Sequence, residues 1–551
     1  MSSSGKSTSP YSGRWVAQLH GQVIAQGGTP EQALHAAQGS RFKESPEIVF
    51  MPVFPPLNLP PLLVPIRAAL PEGKPVYLVG GAVRDLLLGR TTHDLDFTLS
   101  RGAISAARRV ANALRADFYP LDTGRDTGRV IVTGADGTRT LLDFASFRGE
   151  DLASDLLGRD FTLDAIAMDI RTLAIYDPLG GAQDLLEKRL RQCSPTSLWD
   201  DPLRVLRAIR IAATFNFHIL PETRQALKKA AKLLPEVSPE RVRDELFRIL
   251  EGPQPAASLR ALELLGALAP ILPELPALKG ILQPAPHVSD AWTHTLATLA
   301  HLETILNALS PSYNPHTVSD LFNGLLVMRL GRYRHQLAEY FSAALNINRS
   351  LRGLLFFAAL YHDIAKPLRS SAGEDGRLRF WAHEEEGAQL VARRGRFLQL
   401  SNDEVTHLRL IVQNHMRVLN LLHQQLDEGR SPSRRAIFRF FRDTGESGVD
   451  VCLLALADLR ATYEQTLPQE MWGAALDIVR LLLENWWEKQ PECITPPPLL
   501  NGNDLMSELH LQPGSLIGDL LEAIREAQAV GEVVTREDAL AAAKKRLEEG
   551  L

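Results

Sequence analysis

The sequence predicts an α/β head with a mixed sheet and packed helices, followed by a long, mainly helical remainder. A short apolar run, Val76–Val79, leads through Gly80-Gly81 into a helix-forming stretch and then into a second strand, Asp94–Leu99. Alternation of strand and helix signals of this kind indicates a sheet with helices packed on it. From Asp200 onward helical stretches dominate: Asp200–Ala213, Glu240–Leu250, and most of the chain from Ala256 to about Trp472. At 551 residues the chain is too long for one core. The expected divisions are a small α+β module over 1–55, the head over 56–195, an all-α neck over 196–270, a helical body over 271–475 and a helical tail over 476–551.

Composition narrows the class. With 45% hydrophobic and 23% charged residues the chain reads as soluble and globular. No apolar run is long enough to span a membrane, and the Ser-rich start lacks the apolar core of a signal peptide, so the expected location is cytoplasmic. Cys193, Cys452 and Cys493 are odd in number and not closely spaced, which argues against a disulfide framework or a zinc site. A net charge of −5 argues against a uniform coating of nucleic acid but leaves room for a local basic groove. Nothing in it fixes an oligomeric state.

In chain order, Met1–Pro10 reads as disordered. Trp15–Val53 reads as a strand pair turning at Gly21, a helix and a third strand, with Thr29 as N-cap and Pro30 at the first helical position. A Pro-rich link, Phe54–Pro65, follows. In the head, Val76–Val79 is a buried strand. Gly80-Gly81 turns tightly and lets a ligand approach without a Cβ in the way. Ala82–Leu88 is a helix stopped by Gly89. Asp94 and Asp96, two residues apart on the next strand, share one face. Two carboxylates beside a Gly-Gly turn suit a divalent cation and a triphosphate, although a bare GG or a bare DxD is more often an ordinary turn and an acidic loop. A helix over Ala103–Ala116 and strands over Arg129–Thr133 and Thr140–Phe144 complete the head, and the last carries Asp143. A third carboxylate on a neighbouring strand is what two-metal phosphoryl transfer needs, with a surface Asp on an edge strand as the alternative.

The joint pattern GGAVRDLLLG followed by DLD resembles the signature of the class II tRNA nucleotidyltransferases (CCA-adding enzymes) and their bacterial poly(A) polymerase relatives. Asp155–Met168 resembles the family's RRDFTxNA motif through Arg159, Asp160, Phe161 and Thr162, with Gly158 in place of the first Arg and Asp164 in place of Asn. The resemblance implies that this segment handles the triphosphate and ribose of the nucleotide, and both departures remove charge or a donor near an anionic ligand. Asp200–Ala213 resembles the family's E-D-x-x-R helix, with Asp201 and Arg204 matching and Asp200 in place of Glu. Read as one continuous helix, it places Asp201, Arg204 and Arg207 on roughly one face, where acceptors and a fixed fork of donors imitate a base edge. The resemblance implies that Asp94, Asp96 and Asp143 are catalytic, with Asp94 and Asp96 holding Mg2+, and that Gly80, Gly81, Arg84, Arg159, Asp160, Asp201, Arg204 and Arg207 bind the nucleotide. The basic residues around the neck, among them Arg210, Lys228, Lys229, Arg241 and Arg243, suit an RNA backbone by composition.

A second constellation lies in the helical body. His294, His362-Asp363, His383, His415 and Asp458 occur in the order of an HD-type metal-dependent phosphohydrolase. A lone His on a helix is more often packing than ligand, but HDxxK brings two ligands and Lys366 together. Imidazole and carboxylate ligands suit a divalent transition metal or Mg2+. The fold implied is therefore an α/β nucleotidyltransferase head, an all-α neck, an HD-type body and a helical tail. The expected partners are tRNA, CTP and ATP, with no membrane, and the expected activity is template-free CCA addition. The alternatives are a CC-only or A-only enzyme, a poly(A) polymerase, an HD phosphohydrolase whose head only binds RNA, and a non-catalytic RNA-binding protein. Only GEDLAS separates Arg148 from Asp155, too short for the mobile loop of many full CCA-adding relatives, with the Asp122–Arg129 loop as a possible substitute.

Overall fold

The computed structural model describes residues 14–19, 22–38, 45–51, 57–134, 136–314, 320–346, 349–372 and 378–548. By contact density it divides into two compact units, Met1–Leu233 and Leu234–Leu551, so the border falls inside the segment expected as the neck. Among the described residues no helix is long and apolar enough to cross a membrane.

The first unit begins with a three-stranded antiparallel sheet, β1 (Arg14–Leu19), β2 (Gln22–Gly27) and β3 (Glu47–Met51), in the order β2-β1-β3. One helix, Pro30–Gln38, packs on it, started by Thr29, whose hydroxyl accepts the Gln32 N–H at 3.2 Å. The expected turn at Gly21 and the segment Met1–Pro10 lie outside the described residues.

The head is built on a seven-stranded mixed sheet. Its strands are β4 (Val76–Val79), β5 (Asp94–Leu99), β6 (Asp117–Asp122), β7 (Thr127–Thr133), β8 (Arg139–Ser146), β9 (Ala167–Asp169) and β10 (Ile175–Tyr176), in the order β10-β9-β4-β5-β8-β7-β6. β5 and β8 are parallel and the other neighbours antiparallel. The crossover from β5 to β8 contains the Ala103–Leu114 helix, whose buried alanines and Val110 pack on β7 and β8. β4 and β5 lie inside the sheet, and Leu78, Leu95 and Phe97 are almost fully buried.

After the sheet, the Tyr176–Leu190 link clamps the RDFT segment. Asp177 accepts the N–H groups of Gly181 and Ala182 at 2.8 and 2.9 Å, which seats a helix start against Thr162. A Cβ at Gly181 would fall 1.9 Å from the Thr162 carbonyl oxygen. The expected helix Asp200–Ala213 is instead broken: a single turn, Ser197–Asp200, precedes a separate helix, Arg204–Phe215. Pro202 is the cause. It has no N–H to donate and pushes the preceding residue out of helical geometry, leaving Asp201 extended at φ −150°, ψ 98°.

The second unit is helical apart from a small hairpin, Ser370–Ala372 with Leu378–Phe380, among the described residues. Its centre is the Leu351–Tyr361 helix, apolar on nearly all sides, with every residue from Gly353 to Tyr361 buried. Helices Ala291–Ala308, Asn402–Asn414 and Gly448–Tyr463 pack around it. Ser447, His407 and Asp450 form a polar string, with a hydrogen bond between Ser447 Oγ and His407 Nδ1 at 2.9 Å and an ion-pair contact from His407 Nε2 to Asp450 Oδ2 at 3.1 Å. All three are buried, so the string ties helices together and offers no nucleophile to solvent. The tail helices Gly502–Leu509, Ser515–Val530 and Arg536–Glu548 enclose a core of their own around Leu505, Leu520 and Ile524.

The two glycines Gly181 and Gly473 should respond oppositely to the same added methyl group. Gly181→Ala drives its Cβ into backbone and should destabilise the protein by at least about 3 kcal/mol. Gly473 lies inside the Gln469–Trp487 helix with nothing near its Cβ position, so Gly473→Ala should stabilise by about 0.5–1 kcal/mol. Denaturant titration of both variants checks the pair.

Candidate functional site

The register of the head sheet builds the first site. β5 and β8 run parallel with Asp96 opposite Asp143, and β4 places Val79, the residue before the Gly-Gly turn, opposite Asp96. Neighbouring strands are about 4.8 Å apart, so the Asp96 and Asp143 carboxylates share a face at close range. Asp94 projects from the same face two residues earlier and is exposed. Burial pushes the Asp96 carboxyl up to about 6, the charges of Asp143 and Asp94 add to the rise, and Arg159 and Arg207 oppose it. Asp143 is held by Arg129, directly opposite on β7, in a two-pronged pair at 2.7 Å for each bond.

Asp94, Asp96 and Asp143 form a hard-oxygen donor set, and a bound cation would offset both the burial and the like charges that raise the Asp96 carboxyl. They fit a divalent metal by that chemistry. Among the described residues the head holds no three candidate ligand atoms mutually within 4.8 Å; both such groups lie in the helical body.

Gly80 turns at φ +70°, in the left-handed region that favours glycine. A Cβ there would lie 3.1 Å from Arg159 Nη1 and 3.4 Å from Asp96 Oδ2, so this glycine keeps the backbone, a cation and an acid close together. Gly81 opens the next helix, Gly81–Leu87. Arg159 reaches Asp155 at 3.4 Å, and Asp155 also accepts the Arg148 N–H at 3.0 Å. Arg148 carries no motif and escaped sequence reasoning. Burial and the charge of Arg159 lower its pKa, with Asp155 opposing, so two arginines are crowded where an anion would relieve them.

Several predicted nucleotide ligands are engaged within the protein. Arg84 donates to Asp164 at 2.7 Å and to Asp85 at 3.0 Å, with its guanidinium carbon 4.4 Å from the centre of the Phe215 ring. Asp164, the departure from the family's Asn, is therefore the buried counter-ion of Arg84. Burial raises its pKa even against Arg84. Asp160 is buried and pairs with Arg207 Nε at 3.0 Å. Burial alone would raise the Asp160 pKa, but Arg207 and Arg204 hold it below the usual range.

In the structure the Arg204 guanidinium meets backbone carbonyls. The sequence places its fork toward a base, but the residue is buried and donates to three backbone carbonyls: Gly158 at 2.9 Å, Arg159 at 3.2 Å and Ser197 at 2.8 Å. It fastens the Arg204–Phe215 helix to the GRDF turn. Asp201, outside the helix because of Pro202, accepts the Leu203 N–H at 3.3 Å, so the expected common helical face of Asp201, Arg204 and Arg207 does not form.

The second site lies in the helical body, where five elements bring all six predicted ligands together. His294 comes from the Ala291–Ala308 helix, His362-Asp363 from the end of Leu351–Tyr361, His383 from the start of His383–Phe397, His415 from the end of Asn402–Asn414, and Asp458 from Gly448–Tyr463. All six are buried. Their ligand atoms form two groups, His294/His362/Asp458 and Asp363/His383/His415, each mutually within 4.8 Å. His362 Nε2 is buried without a hydrogen-bond partner, an orphan suited to a metal. Burial would raise the Asp363 carboxyl, but His362 and Lys366 hold it well below the usual carboxylate range. Burial lowers His415 to about 3, helped by His383 and His362. Sequence reasoning missed His287, whose ring centre is 5.2 Å from that of His294, and Gln283, which accepts from Lys366 at 2.5 Å; neither belongs to a spacing that marks it.

Residues 76–191 match the poly A polymerase head domain, 216–278 the probable RNA- and SrmB-binding site of polymerase A, and 292–459 the HD domain. A CC-adding tRNA nucleotidyltransferase of Thermus thermophilus is 34% identical over 477 residues, covering 85% of this chain and 93% of that protein. An A-adding tRNA nucleotidyltransferase of Deinococcus radiodurans is 33% identical, covering 88% and 98%. The solved structure of the Thermotoga maritima CCA-adding enzyme with tRNA aligns at a TM-score of 0.53 and 20% identity over 89% of this chain and 96% of that one, a likeness of fold. With the α/β head, the helical body and two full-length relatives above 30% identity in agreement, the chain belongs to the tRNA nucleotidyltransferase and poly(A) polymerase family of enzymes.

Proposed function

We propose that the head transfers nucleotides from CTP and ATP to the 3′ end of tRNA without a nucleic-acid template, releasing pyrophosphate. The observation that carries this reading is the register that sets Asp96 against Asp143 beside the Gly80 turn, with arginines around it. Asp94, Asp96 and Asp143 are the residues that would hold Mg2+, which supplies neutralisation of the triphosphate and of the departing pyrophosphate. Arg129 fixes the Asp143 carboxylate in orientation. Arg148 and Arg159 face the phosphates, and Gly80-Gly81 lets them approach the backbone. Arg84, Asp160 and Arg204 act as positioning residues, while Arg207 and Asp201 stand nearest the base. The HD body is assigned as a metal-dependent phosphohydrolase site, with a divalent transition metal or Mg2+ held by His294, His362, Asp363, His383, His415 and Asp458. The cytoplasm, where tRNA is matured, is the location that fits this reading.

A second reading, addition of CC alone, is favoured by a specific observation. The connection from β8 to the Leu152–Leu157 helix is only residues 147–151, and Asp151 and Ser154 cap each other there. The other candidate lever is also pinned: Asp126 accepts the N–H groups of Gly102, Ala103 and Ile104 and the Ser146 hydroxyl. A pocket that cannot shift between CTP and ATP would stop at CC. The two relatives named above add CC in one case and A in the other. A poly(A) polymerase would extend many RNA ends with long A tracts.

Three experiments test the assignment. Truncated tRNA lacking CCA and tRNA ending in CC are each incubated with single labelled nucleotides, and the products sized. Rapid addition of one A to the CC-ending tRNA supports complete CCA addition; no extension there beside efficient CMP addition supports the CC reading. Long A tracts would indicate a poly(A) polymerase, and no addition with any nucleotide would defeat the transferase reading.

The pH dependence follows from Asp96. Its pKa is raised to about 6, so the ionised form that holds a cation is lost as pH falls through that value. The addition rate should fall below about pH 6, with the midpoint moving down as Mg2+ is raised, and Asp96→Asn should be inactive at every pH.

Arg204→Ala should leave three carbonyls without their donor, cost about 2–4 kcal/mol of stability, and slow CMP and AMP addition alike with selectivity kept. Altered selectivity among the four triphosphates at unchanged stability would restore Arg204 as a base reader.

A further inference from the structure

We propose that Arg129 sets the metal affinity of the head: it competes with the cation for Asp143, so that the protein without nucleotide holds its ion weakly. The proposal rests on the reading of Asp94, Asp96 and Asp143 as the metal-binding set and adds to it a residue that opposes the metal. β8 lies between β5 and β7, so Asp143 has Asp96 as its direct neighbour on one side and Arg129 on the other. The guanidinium takes both oxygens: Nε donates to Oδ1 and Nη2 to Oδ2, each at 2.7 Å. A planar fork on a carboxylate is among the strongest of side-chain pairs and has a fixed geometry. With Asp143 turned to β7 in this way, no three candidate ligand atoms of the head come within 4.8 Å of one another among the described residues.

The other cations of the site are committed elsewhere. Arg159 has Asp155 as a partner of its own, Arg207 has Asp160, and Arg84 is held by Asp164 and Asp85. Among the described residues the acid that Arg129 pairs with is Asp143 alone, and the charges of Asp94 and Asp96 also reach it. Arg129 is therefore the resident cation of the three carboxylates. Its side chain is 35% exposed and that of Asp143 27%, so water screens the pair only in part. The fork leaves lone pairs on both oxygens, since a carboxylate has about four such positions. A metal ion can still reach Asp143, but it shares the carboxylate with a fixed unit charge. Even in a water-like dielectric, repulsion at that range changes the affinity for a divalent ion about tenfold. A triphosphate brings negative charge of its own and offsets this repulsion, so the ion binds firmly together with the nucleotide.

The test measures Mn2+ binding to the full chain without nucleotide, from the electron paramagnetic resonance signal of the free ion. The same titration of Asp96→Asn is subtracted, so that only the ions that depend on the head remain. Arg129→Gln keeps a donor for Asp143 and removes the charge. The expected result is a head affinity about tenfold tighter than in the parent, with the circular dichroism spectrum unchanged. Arg129→Thr, whose side chain suits a strand, gives the same readout where the first variant does not fold. Equal affinity in parent and variant would overturn the proposal and leave Arg129 a structural residue of the sheet. Weaker binding in the variant would overturn it in favour of Arg129 aligning Asp143 for the metal. No head-dependent ion in either protein would overturn it together with the metal reading.

Discussion

The parallel pairing of β5 with β8 sets Asp96 directly against Asp143, and the rest of the head answers to the repulsion between those carboxylates. Two like charges this close, one of them half-buried, are unfavourable in the absence of compensation. Arg129 takes up Asp143 from the next strand, while Arg159 and Arg207 draw down Asp96 from beyond the turn. Those arginines need partners in their turn, which explains why Asp155 and Asp160 are buried beneath them. The result is a layered arrangement, acid, base and acid again, with Asp94 left exposed and Arg148 and Arg159 crowded together. A triphosphate carrying a divalent cation complements both layers at once.

The helical body applies the same principle to a softer donor set. Four imidazoles and two carboxylates are withdrawn from water, and the backbone fixes three imidazole tautomers so that their lone pairs converge. Such a cluster is costly to bury empty. The elements holding it are among the most apolar in the chain: the Leu351–Tyr361 helix is buried throughout its second half. A rigid apolar frame around a few polar atoms keeps ligands in place without a cation to organise them.

Legibility in the sequence followed physical uniqueness. β4 and β5 were readable to the residue, because buried strands read as short apolar runs bounded by Gly and polar residues. β6, Asp117–Asp122, gave no signal: it is a sheet edge, mostly exposed, with Pro120 inside and no alternation. The HD ligands were legible because adjacent His and Asp are uncommon and four more ligands flank the pair in order, one before it and three after. The break at Asp201 was legible in principle, since Pro202 stands there, but the apolar stripe Leu203, Leu206 and Ile209 made a longer helix look continuous. The fate of Arg204 was not legible. Whether an arginine's donors meet a ligand or the backbone depends on where a turn more than forty residues earlier comes to rest.

The same dependence on distant partners changes the meaning of Asp164. Taken alone, an acid in place of Asn removes a donor and adds a negative charge where a triphosphate is expected, so weaker binding follows. In the fold, Arg84 lies 80 positions earlier and closes on Asp164 at 2.7 Å, with Phe215 beneath its guanidinium plane. The pair is neutral overall, and Arg90 flanks the same ring at 4.6 Å. The substitution therefore does not leave a bare acid in the pocket; with Asp85 also bound to it at 3.0 Å, Arg84 becomes a strut between the Gly81–Leu87 helix and the RDFT segment. On the function proposed above, the positive charge for the phosphates comes from residues on the other side of the turn, Arg159 and the unheralded Arg148. A motif departure and a residue without a motif are in this way two halves of one rearrangement.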